Sequence, residues 1–393
     1  MCRSGHRAFV APCTDLKSGT PNSRFYCLAT PKVVIAAGGT GGHLFPALAL
    51  ALKLKSRNAW VEVIGKTSPV IAGEFTKAGV TFREVPVVRI PGKKTGFLLL
   101  PFRTLWAFIF SLFYLRRTRP DAVVGMGGYV SAAPAASAIF ARIPLFFCEQ
   151  NLLPGKVTRF FSRWSRAVFT SFPESARHLK SKMIIETGNP LRPFLEKKER
   201  KDARTSLGLE TDRFTVLILG GSQGAHAINL KTISALEHLP PQKIQLIHLT
   251  GRADLPSVRE AYEKRSFRNY TAAFLSRMEL PYSAADLVVG RAGATTIAEL
   301  AFFGLPSILI PYPYAAEKHQ NLNAEEMVRN GAAVMREEAE IQGKELAELI
   351  TELAGNPERF SAMTASAGKL SRACAADHIA DYVLSSFSEK TSA

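Results

Sequence analysis

Two stretches of this chain share one local plan, in which an apolar β-type run leads into a glycine-rich turn and the start of a helix. They are VVIAAGGTGGH at residues 33–43 and VLILGGSQGAH at residues 216–226. Glycine lacks a Cβ, so such a turn can adopt positive φ and present backbone N–H groups to an anion. A single turn of this kind can also have a purely structural role, in which glycine lets the helix pack closely on its sheet. The pair predicts two Rossmann-like α/β domains that face each other across a cleft.

The rest of the chain alternates short apolar runs with longer helical patterns, as parallel α/β sheets do. We predict strands at KVVIAA, WVEVIG, DAVVGM, PLFFCE, TVLILG, IQLIHL, DLVVGR and PSILIP. The proline-punctuated and charge-dense stretch GNPLRPFLEKKERKDARTSLG separates the two halves. Such a composition is typical of a domain link, so we place the domain break near Gly188. A length of 393 residues also suits two domains.

The net charge restricts the class of partner. With 50 Lys and Arg against 33 Asp and Glu, the chain carries +17, which favours nucleic acid, an acidic membrane surface or a phosphorylated substrate. No RNP, zinc-finger or helix-turn-helix signature supports nucleic-acid binding, so we expect no nucleic-acid partner. Neither GxxxxGK[ST] nor GxGxxG with an acid about 20 residues later is present, which disfavours kinase-like and dinucleotide sites.

Residues 1–30 mix Arg, Ser, Pro and Gly and have no apolar run long enough for a secretory signal. We expect a poorly ordered tail there. An organelle transit peptide is the alternative, because the segment is basic and poor in acids.

The segment VVGRAGATTIAELAFFGLPSILIPYPYAAEKHQNLNAEEM, residues 288–327, holds a second group of candidate residues. Thr295 and Thr296 follow a glycine turn at a predicted helix N-terminus, where hydroxyls and free N–H groups can hold diphosphate oxygens. Glu299 can accept hydrogen bonds from both hydroxyls of a ribose, and the amides of Gln320 and Asn321 can bind sugar hydroxyls. These residues suit a nucleotide sugar, although helix capping alone also explains the threonines and the glutamate.

At this point the ordered motifs resemble one family. GGTGGHLFPALALA, GMGGYVS, EQN, GNPLRP, GGSQGA, RAGATTIAEL and HQNLNA follow each other as in the MurG family, and the resemblance covers Lys32 to the C-terminus. It implies a GT-B glycosyltransferase that moves GlcNAc with inversion from UDP-GlcNAc to the 4-hydroxyl of the muramyl sugar of lipid I. The products are lipid II and UDP, and the resemblance implies no metal or other cofactor.

The resemblance also implies a domain plan. Residues 31–188 would bind the lipid acceptor and contact the membrane, and residues 189–372 would bind UDP-GlcNAc. Residues 373–393 would form a helix that crosses back to the first domain. The expected location is peripheral, on the cytoplasmic face of the inner membrane.

Matching positions give the implied contacts with UDP-GlcNAc. They are Thr40, Gly41, Gly42, Asn151, Arg192, Ser222, the backbone of Leu275, the run Ala294, Thr295, Thr296, Ile297, Ala298 and Glu299, and Gln320. The chain departs from the family pattern in three places. Cys148 replaces the histidine of HEQN, His319 replaces a second glutamine, and the proline of GYVSAAP lies one position late. The last departure puts the acceptor contacts of that loop in doubt.

An inverting transfer needs a base to accept the proton of the attacking hydroxyl. His43, at the end of GGTGGH, is the first candidate, and Glu149, at the end of PLFFCE, is its rival. A histidine that only orients the glycine turn is the alternative for His43. We favour His43 slightly over Glu149.

The segment PGKKTGFLLLPFRTLWAFIFSLFYLRRTRP, residues 91–120, predicts contact with an anionic membrane surface. Its apolar run from Phe97 to Leu115 approaches the ~20 residues that span a bilayer. Pro101 and Arg103 interrupt the run, so we expect an exposed apolar loop followed by a packed helix with basic ends. An ordinary core helix with charged ends is the alternative.

Two other enzyme classes are compatible with part of these motifs. A diacylglycerol glycosyltransferase would share the donor motifs but differ at GMGGYVS. A UDP-GlcNAc epimerase would share the two-domain plan but act on the free sugar nucleotide. Incubation with UDP-GlcNAc and lipid I separates the three activities.

Overall fold

The computed structural model describes residues 30–39, 41–87, 100–221 and 224–388. Within them, strands and helices alternate and build two parallel sheets, so the predicted α/β class is confirmed. Most of the expected N-terminal tail and residues 97–99 of the expected apolar loop lie outside the described residues, as do Thr40 and Ser222.

The first sheet contains seven strands in the described part of the chain. They are β1 (Lys32–Gly38), β2 (Trp60–Lys66), β3 (Thr81–Glu84), β4 (Ala122–Gly125), β5 (Leu145–Glu149), β6 (Ala167–Thr170) and β7 (Ile184–Glu186). Its helices are α1 (Gly41–Ser56), α2 (Pro69–Lys77), α3 (Leu100–Thr118), α4 (Ala132–Phe140) and α5 (Lys156–Phe161). The strand order is β3-β2-β1-β4-β5-β6-β7, and all pairs are parallel.

The second sheet contains six strands among the residues described. They are β8 (Phe214–Leu219), β9 (Ile244–Leu249), β10 (Asn269–Ala272), β11 (Leu287–Gly290), β12 (Ser307–Leu309) and β13 (Ala333–Met335). Around it lie α6 (Arg200–Ser206), α7 (His226–Ala235), α8 (Leu255–Lys264), α9 (Glu279–Ala284), α10 (Ala294–Phe303), α11 (His319–Arg329), α12 (Gly343–Gly355), α13 (Pro357–Lys369) and α14 (Ala375–Ser388). The order is β10-β9-β8-β11-β12-β13, again all parallel.

The central strands are buried on both faces because helices cover both sides of a parallel sheet. Five residues of β1, from Val33 to Ala37, have no exposed surface, and the apolar runs of β8 and β11 are equally enclosed. These continuous apolar runs were predicted as strands. The strands β3, β6, β7, β10 and β13, of three or four residues each, were not predicted.

Each sheet has one point where the strand order reverses. In the first sheet β1 and β4 are neighbours there, and in the second β8 and β11 are. Ligands of open α/β sheets bind at such switch points, beyond the carboxyl ends of the strands. The turns GGTGGH, GMGG, GGSQG and RAGA follow these four strands, so all the glycine turns lie at the two switch points.

Helix α14, the last helix described, packs on α1 of the first sheet. Arg57, directly after α1, forms ion pairs with Asp377 at 3.0 Å and Asp381 at 2.6 Å, and the Tyr382 ring contacts the rings of Phe146 and Phe169. Helix α14 therefore packs against the first domain.

The link between the sheets passes close to the start of this return segment. Gly188 has a φ of 85°, and a Cβ built on it would lie 2.3 Å from Cβ of Arg372. Both the positive φ and the close approach require glycine at this position.

Candidate functional site

The site is built where the glycine turns of the two sheets meet. Gly41 and Gly42 are the first residues of α1, and Thr295 lies in the first turn of α10. The hydroxyl of Thr295 donates a hydrogen bond to the Gly42 carbonyl at 3.1 Å, and its oxygen accepts one from the Asn189 amide at 3.3 Å. The two switch points are therefore in direct contact, and the inter-sheet link joins them.

His43 occupies the next position of α1, half-buried at the edge of this contact. Its Nδ1 lies 2.9 Å from Oε1 of Gln150. The Gln150 amide nitrogen donates to the Cys148 carbonyl at 3.1 Å, which orients the oxygen toward the ring. A carbonyl oxygen can only accept, so Nδ1 carries the hydrogen and Nε2 of the neutral ring keeps its lone pair.

Burial lowers the pKa of His43 below the ordinary histidine value of 6.5. The negative charge of Glu149 and the hydrogen bonds to Gln150 and the Met126 backbone oppose this effect, and His319 adds to it. The ring is therefore neutral near pH 7, as a general base must be.

The ring of His43 lies against the second glycine turn. Gly127 and Gly128 have φ values of 80° and 68°. A Cβ built on Gly128 would lie 3.4 Å from Nε2 of His43, and one built on Gly127 would lie 3.6 Å from Cε1. The bare backbone of GMGG thus leaves room beside the basic nitrogen of the ring.

Glu149, the rival base, is buried and fully engaged with its own loop. Its Oε1 accepts from the backbone and side-chain nitrogens of Asn151 at 3.1 and 3.4 Å, and its Oε2 accepts from the Gly155 backbone at 3.0 Å. These three hydrogen bonds hold the loop of Asn151 and Gly155 in place.

Asn151, in the same loop, contacts the opposite domain. Its side-chain oxygen accepts from the amide of Asn323 at 3.2 Å, and Asn323 also accepts from the Leu152 backbone at 3.0 Å. Asn323 lies fully buried in α11 and donates as well to the Ala292 carbonyl. Sequence analysis missed both Asn323 and Gln150, although each stands inside a motif already singled out, HQNLNA and EQN.

Arg192 and Glu299 form an ion pair across the second switch point. The guanidinium Nε lies 3.1 Å from Glu299 Oε1, and the Tyr282 hydroxyl donates to Oε2 at 2.7 Å. Glu299 is only 2% exposed, and the arginine stacks over the Phe45 ring of α1 at 4.1 Å. Burial and the glutamate raise the pKa of Tyr282 well above its ordinary value. Each carboxylate oxygen keeps a second lone pair that a ligand hydroxyl can use.

A cleft of about 490 Å³ opens beside this pair, between the first domain and the link. Phe45, Glu74, Arg192, Phe194 and Ser276 are among its lining residues. A larger cavity, of about 760 Å³, lies at the amino ends of the second sheet beside Arg204 and Asp286. None of the sequence-predicted site residues lines this larger cavity, whereas Arg192 lines the smaller cleft.

Comparison with known proteins supports the same conclusion. Residues 33–170 match the glycosyltransferase family 28 N-terminal domain, and residues 215–379 match its C-terminal domain. The chain is 40% identical over 356 residues to the UDP-N-acetylglucosamine--N-acetylmuramyl-(pentapeptide) pyrophosphoryl-undecaprenol N-acetylglucosamine transferase of Anaeromyxobacter dehalogenans, with 89% of this chain and 91% of the relative covered. The chain belongs to the MurG family.

Two further matches agree with membership of the MurG family. The transferase of the same name from Myxococcus xanthus is 41% identical over 357 residues, with 89% and 91% of the two chains covered. The crystal structure of Acinetobacter baumannii MurG superposes with a TM-score of 0.72 at 26% identity, and covers 90% of this chain and 99% of that one. The predicted family and the predicted GT-B fold are therefore confirmed.

The remaining predicted residues of this MurG-family site lie in the second domain. Ala294, Thr295, Ile297 and Glu299 are buried in the first turns of α10, whereas Thr296 and Ala298 are partly exposed. Leu275 packs on the core beneath the second sheet. Gln320 accepts from the Tyr312 backbone at 2.9 Å, and Asn321 donates to Glu337 at 2.6 Å. No group of three or more His, Cys, Asp or Glu among the described residues is arranged to hold a metal ion.

The MurG-family chain also carries an apolar surface on α3, away from the cleft residues. Five large side chains, each between 48% and 71% exposed, form what we call the α3 patch: Phe102, Leu105, Trp106, Ile109 and Phe113. Their spacing places them on one helical face, while Ala107, Ser111, Tyr114 and Leu115 pack inward.

The patch differs from the sequence prediction in where the exposed residues lie. We expected an exposed loop and then a packed helix, but the helix starts at Leu100 and itself carries the exposed face. In the described part of this MurG-family chain, no helix is long and apolar enough to cross a membrane.

Proposed function

We propose that this chain transfers N-acetylglucosamine from UDP-GlcNAc to the 4-hydroxyl of the muramyl sugar of lipid I, giving lipid II and UDP. The activity for which its relatives are named, transfer of N-acetylglucosamine to an N-acetylmuramyl-(pentapeptide) pyrophosphoryl-undecaprenol, supports these substrates. The observation that carries the chemistry is the hydrogen bond from Nδ1 of His43 to Gln150, which leaves Nε2 with its lone pair beside the bare backbone of Gly128. The turn that holds this ring contacts the donor-domain helix through Thr295.

In the proposed reaction, Nε2 of His43 accepts the proton of the acceptor hydroxyl as that oxygen attacks C1 of the donor sugar. The new O–C1 bond forms, the bond from C1 to the diphosphate oxygen breaks, and the electron pair leaves with UDP. Gln150 stabilises the imidazolium because its oxygen already accepts from Nδ1. In this scheme Glu149 holds the loop of Asn151 and Gly155 with its carboxylate.

We propose that the donor binds across both switch points. The first turns of α1 and α10 present free N–H groups to the diphosphate, and Arg192 supplies a positive charge at the mouth of the cleft. Glu299 would accept from the ribose hydroxyls with its remaining lone pairs. The implied contacts from Thr40 and Ser222 complete this proposal, although both lie outside the described residues.

We further propose that the enzyme works at the cytoplasmic face of the inner membrane, as a peripheral protein on anionic lipid. The α3 patch supports this proposal because an isolated exposed apolar face of this kind marks an interaction surface. Cationic side chains flank it: Arg103 is exposed on the same helix, and Arg116 lies over the exposed Phe140 ring at 5.8 Å. Basic residues near an anionic surface each contribute about 1 kcal/mol.

The test is incubation of the purified chain with labelled UDP-GlcNAc and lipid I. Formation of lipid II and UDP is expected. Appearance of an epimerised sugar nucleotide without transfer, or transfer to diacylglycerol in place of lipid I, would overturn the proposal. A His43→Ala variant is the matched control, because it keeps the donor cleft of Arg192 and Glu299 intact.

A further inference from the structure

Helix α1 contains a proline that leaves one backbone carbonyl without its helical partner. In an α-helix, the carbonyl of residue 42 accepts from the N–H of residue 46. Residue 46 is Pro46, which has no N–H and whose ring also pushes against that carbonyl. The Gly42 carbonyl, in the catalytic turn next to His43, is therefore free to accept from outside the helix.

The donor to this carbonyl comes from the other domain. The Thr295 hydroxyl, in the first turn of α10, donates to the Gly42 oxygen at 3.1 Å. Behind it, the Asn189 amide donates to the Thr295 oxygen at 3.3 Å, and both Thr295 and Asn189 are at least nine-tenths buried. One row of hydrogen bonds thus joins the inter-sheet link, the donor-domain helix and the catalytic turn.

We propose that Pro46 is a positioning residue for the transfer reaction. By removing one helical N–H, it lets the Gly42 carbonyl turn toward Thr295, and this contact helps to set the register of α10 against the turn that carries His43. The inference deepens the proposed function and rests on it for the place of the chemistry.

The physical argument concerns the direction of the Gly42 carbonyl. The oxygen has two lone pairs, but a helical N–H at residue 46 would hold it along the helix axis. The buried Thr295 hydroxyl would then be left with a longer and less linear hydrogen bond across the cleft. The helix would gain a hydrogen bond at the cost of the contact between the domains. A proline in the sixth position of a helix otherwise only weakens it.

The test is Pro46→Ala. Because alanine is the better helix former, Tm should stay unchanged or rise. UDP affinity, measured by calorimetry, and kcat/KM should nevertheless each fall about 3- to 10-fold, as expected for one hydrogen bond across the cleft. Stability and activity would then change in opposite directions, which a packing role for the proline does not produce.

A double-mutant cycle with Thr295→Val assigns the loss to the contact itself. Valine keeps the shape of threonine without the hydroxyl, so the double variant should be no worse than either single variant. Thr295→Ser, which keeps the hydroxyl, should lose less UDP affinity than Thr295→Val. Pro256→Ala, in the first turn of α8, is the control for a proline change outside the cleft and should leave kcat/KM unchanged.

Three results would overturn the inference: a Pro46→Ala variant with parental UDP affinity, a drop in its Tm of several degrees, or additive effects of Pro46→Ala and Thr295→Val. The measurement of UDP affinity does not depend on the transfer reaction. If the parent failed to make lipid II while Pro46→Ala still weakened UDP binding, the proposed function would fail and the contact between the domains would stand.

Discussion

His43 and Gln150, 107 residues apart in the chain, are joined by a hydrogen bond of 2.9 Å between the ring Nδ1 and the amide oxygen. This bond fixes the hydrogen on Nδ1, so the other ring nitrogen is the basic one. For the proposed role of His43 as the base, Gln150 supplies the orientation that a third group provides in other general-base sites.

Removal of the ring should abolish most of the turnover without disturbing the donor site. For His43→Ala we expect kcat to fall about 10²- to 10⁴-fold, the usual range for loss of a general base, with UDP affinity near the parental value. Steady-state kinetics and UDP calorimetry measure the two quantities. Near-parental kcat with a raised KM would indicate that His43 only orients the turn.

The pH profile of kcat/KM should change when Gln150, which faces Nδ1 of His43, is replaced. Since burial lowers the pKa of His43, the acidic limb of kcat/KM should lie below pH 6.5, with activity lost as the pH falls through the folded pKa. Gln150→Glu places a negative charge beside Nδ1, which favours the imidazolium and raises that pKa. The limb of this variant should therefore move to higher pH, and an unmoved limb would argue against His43 as the base.

Glu149→Gln should damage the loop more than the chemistry. A carboxamide has one oxygen where the carboxylate offers two, so either the Asn151 or the Gly155 backbone N–H would face an NH₂ group. We expect a loss of about 1–3 kcal/mol in the free energy of unfolding, measured with urea, and an acidic limb that is retained. Loss of the limb at unchanged stability would make Glu149 the base.

Glu299→Ala should weaken UDP binding about 10- to 100-fold, because hydrogen bonds to a charged acceptor contribute about 1.5–3 kcal/mol. The structure adds a second expectation. The change also leaves Arg192 and the buried Tyr282 hydroxyl without their shared partner, so Tm should fall.

Tyr282→Phe is the matched control for Glu299. It removes one neighbour of the carboxylate but leaves the ion pair with Arg192 in place, so UDP affinity should stay near the parental value. Equal UDP binding by the parent and Glu299→Ala would refute the ribose assignment.

Exchange of two exposed rings of the α3 patch, Phe102→Ser with Trp106→Ser, should release the protein from anionic vesicles. Burial of each large apolar side chain contributes about 1.5–3 kcal/mol, so partitioning should drop by at least tenfold in a sedimentation assay. Parental binding should decline as salt rises. Leu230→Ser, at a residue 51% exposed on α7, is the control. Equal binding of all variants would mean that α3 faces another protein element.

The sequence predicted the local elements that depend only on neighbouring residues. Continuous apolar runs such as those of β1, β8 and β11 show their burial, and a glycine turn between strand and helix is visible in the residues themselves. Marginal strands such as TFRE of β3 and NYTA of β10 were missed because their partly exposed positions hold polar residues and form no apolar run.

By itself the sequence therefore determined the α/β class, the family and the place of His43 in a glycine turn, since each follows from residues adjacent in the chain. Only the tertiary structure decided which groups meet. Gln150 reaches His43, Glu299 pairs with Arg192, and Thr295 reaches Gly42 across 253 residues, because strand order at each switch point and the packing of one sheet against the other bring them together. Contacts between distant residues depend on that arrangement, which no local pattern encodes.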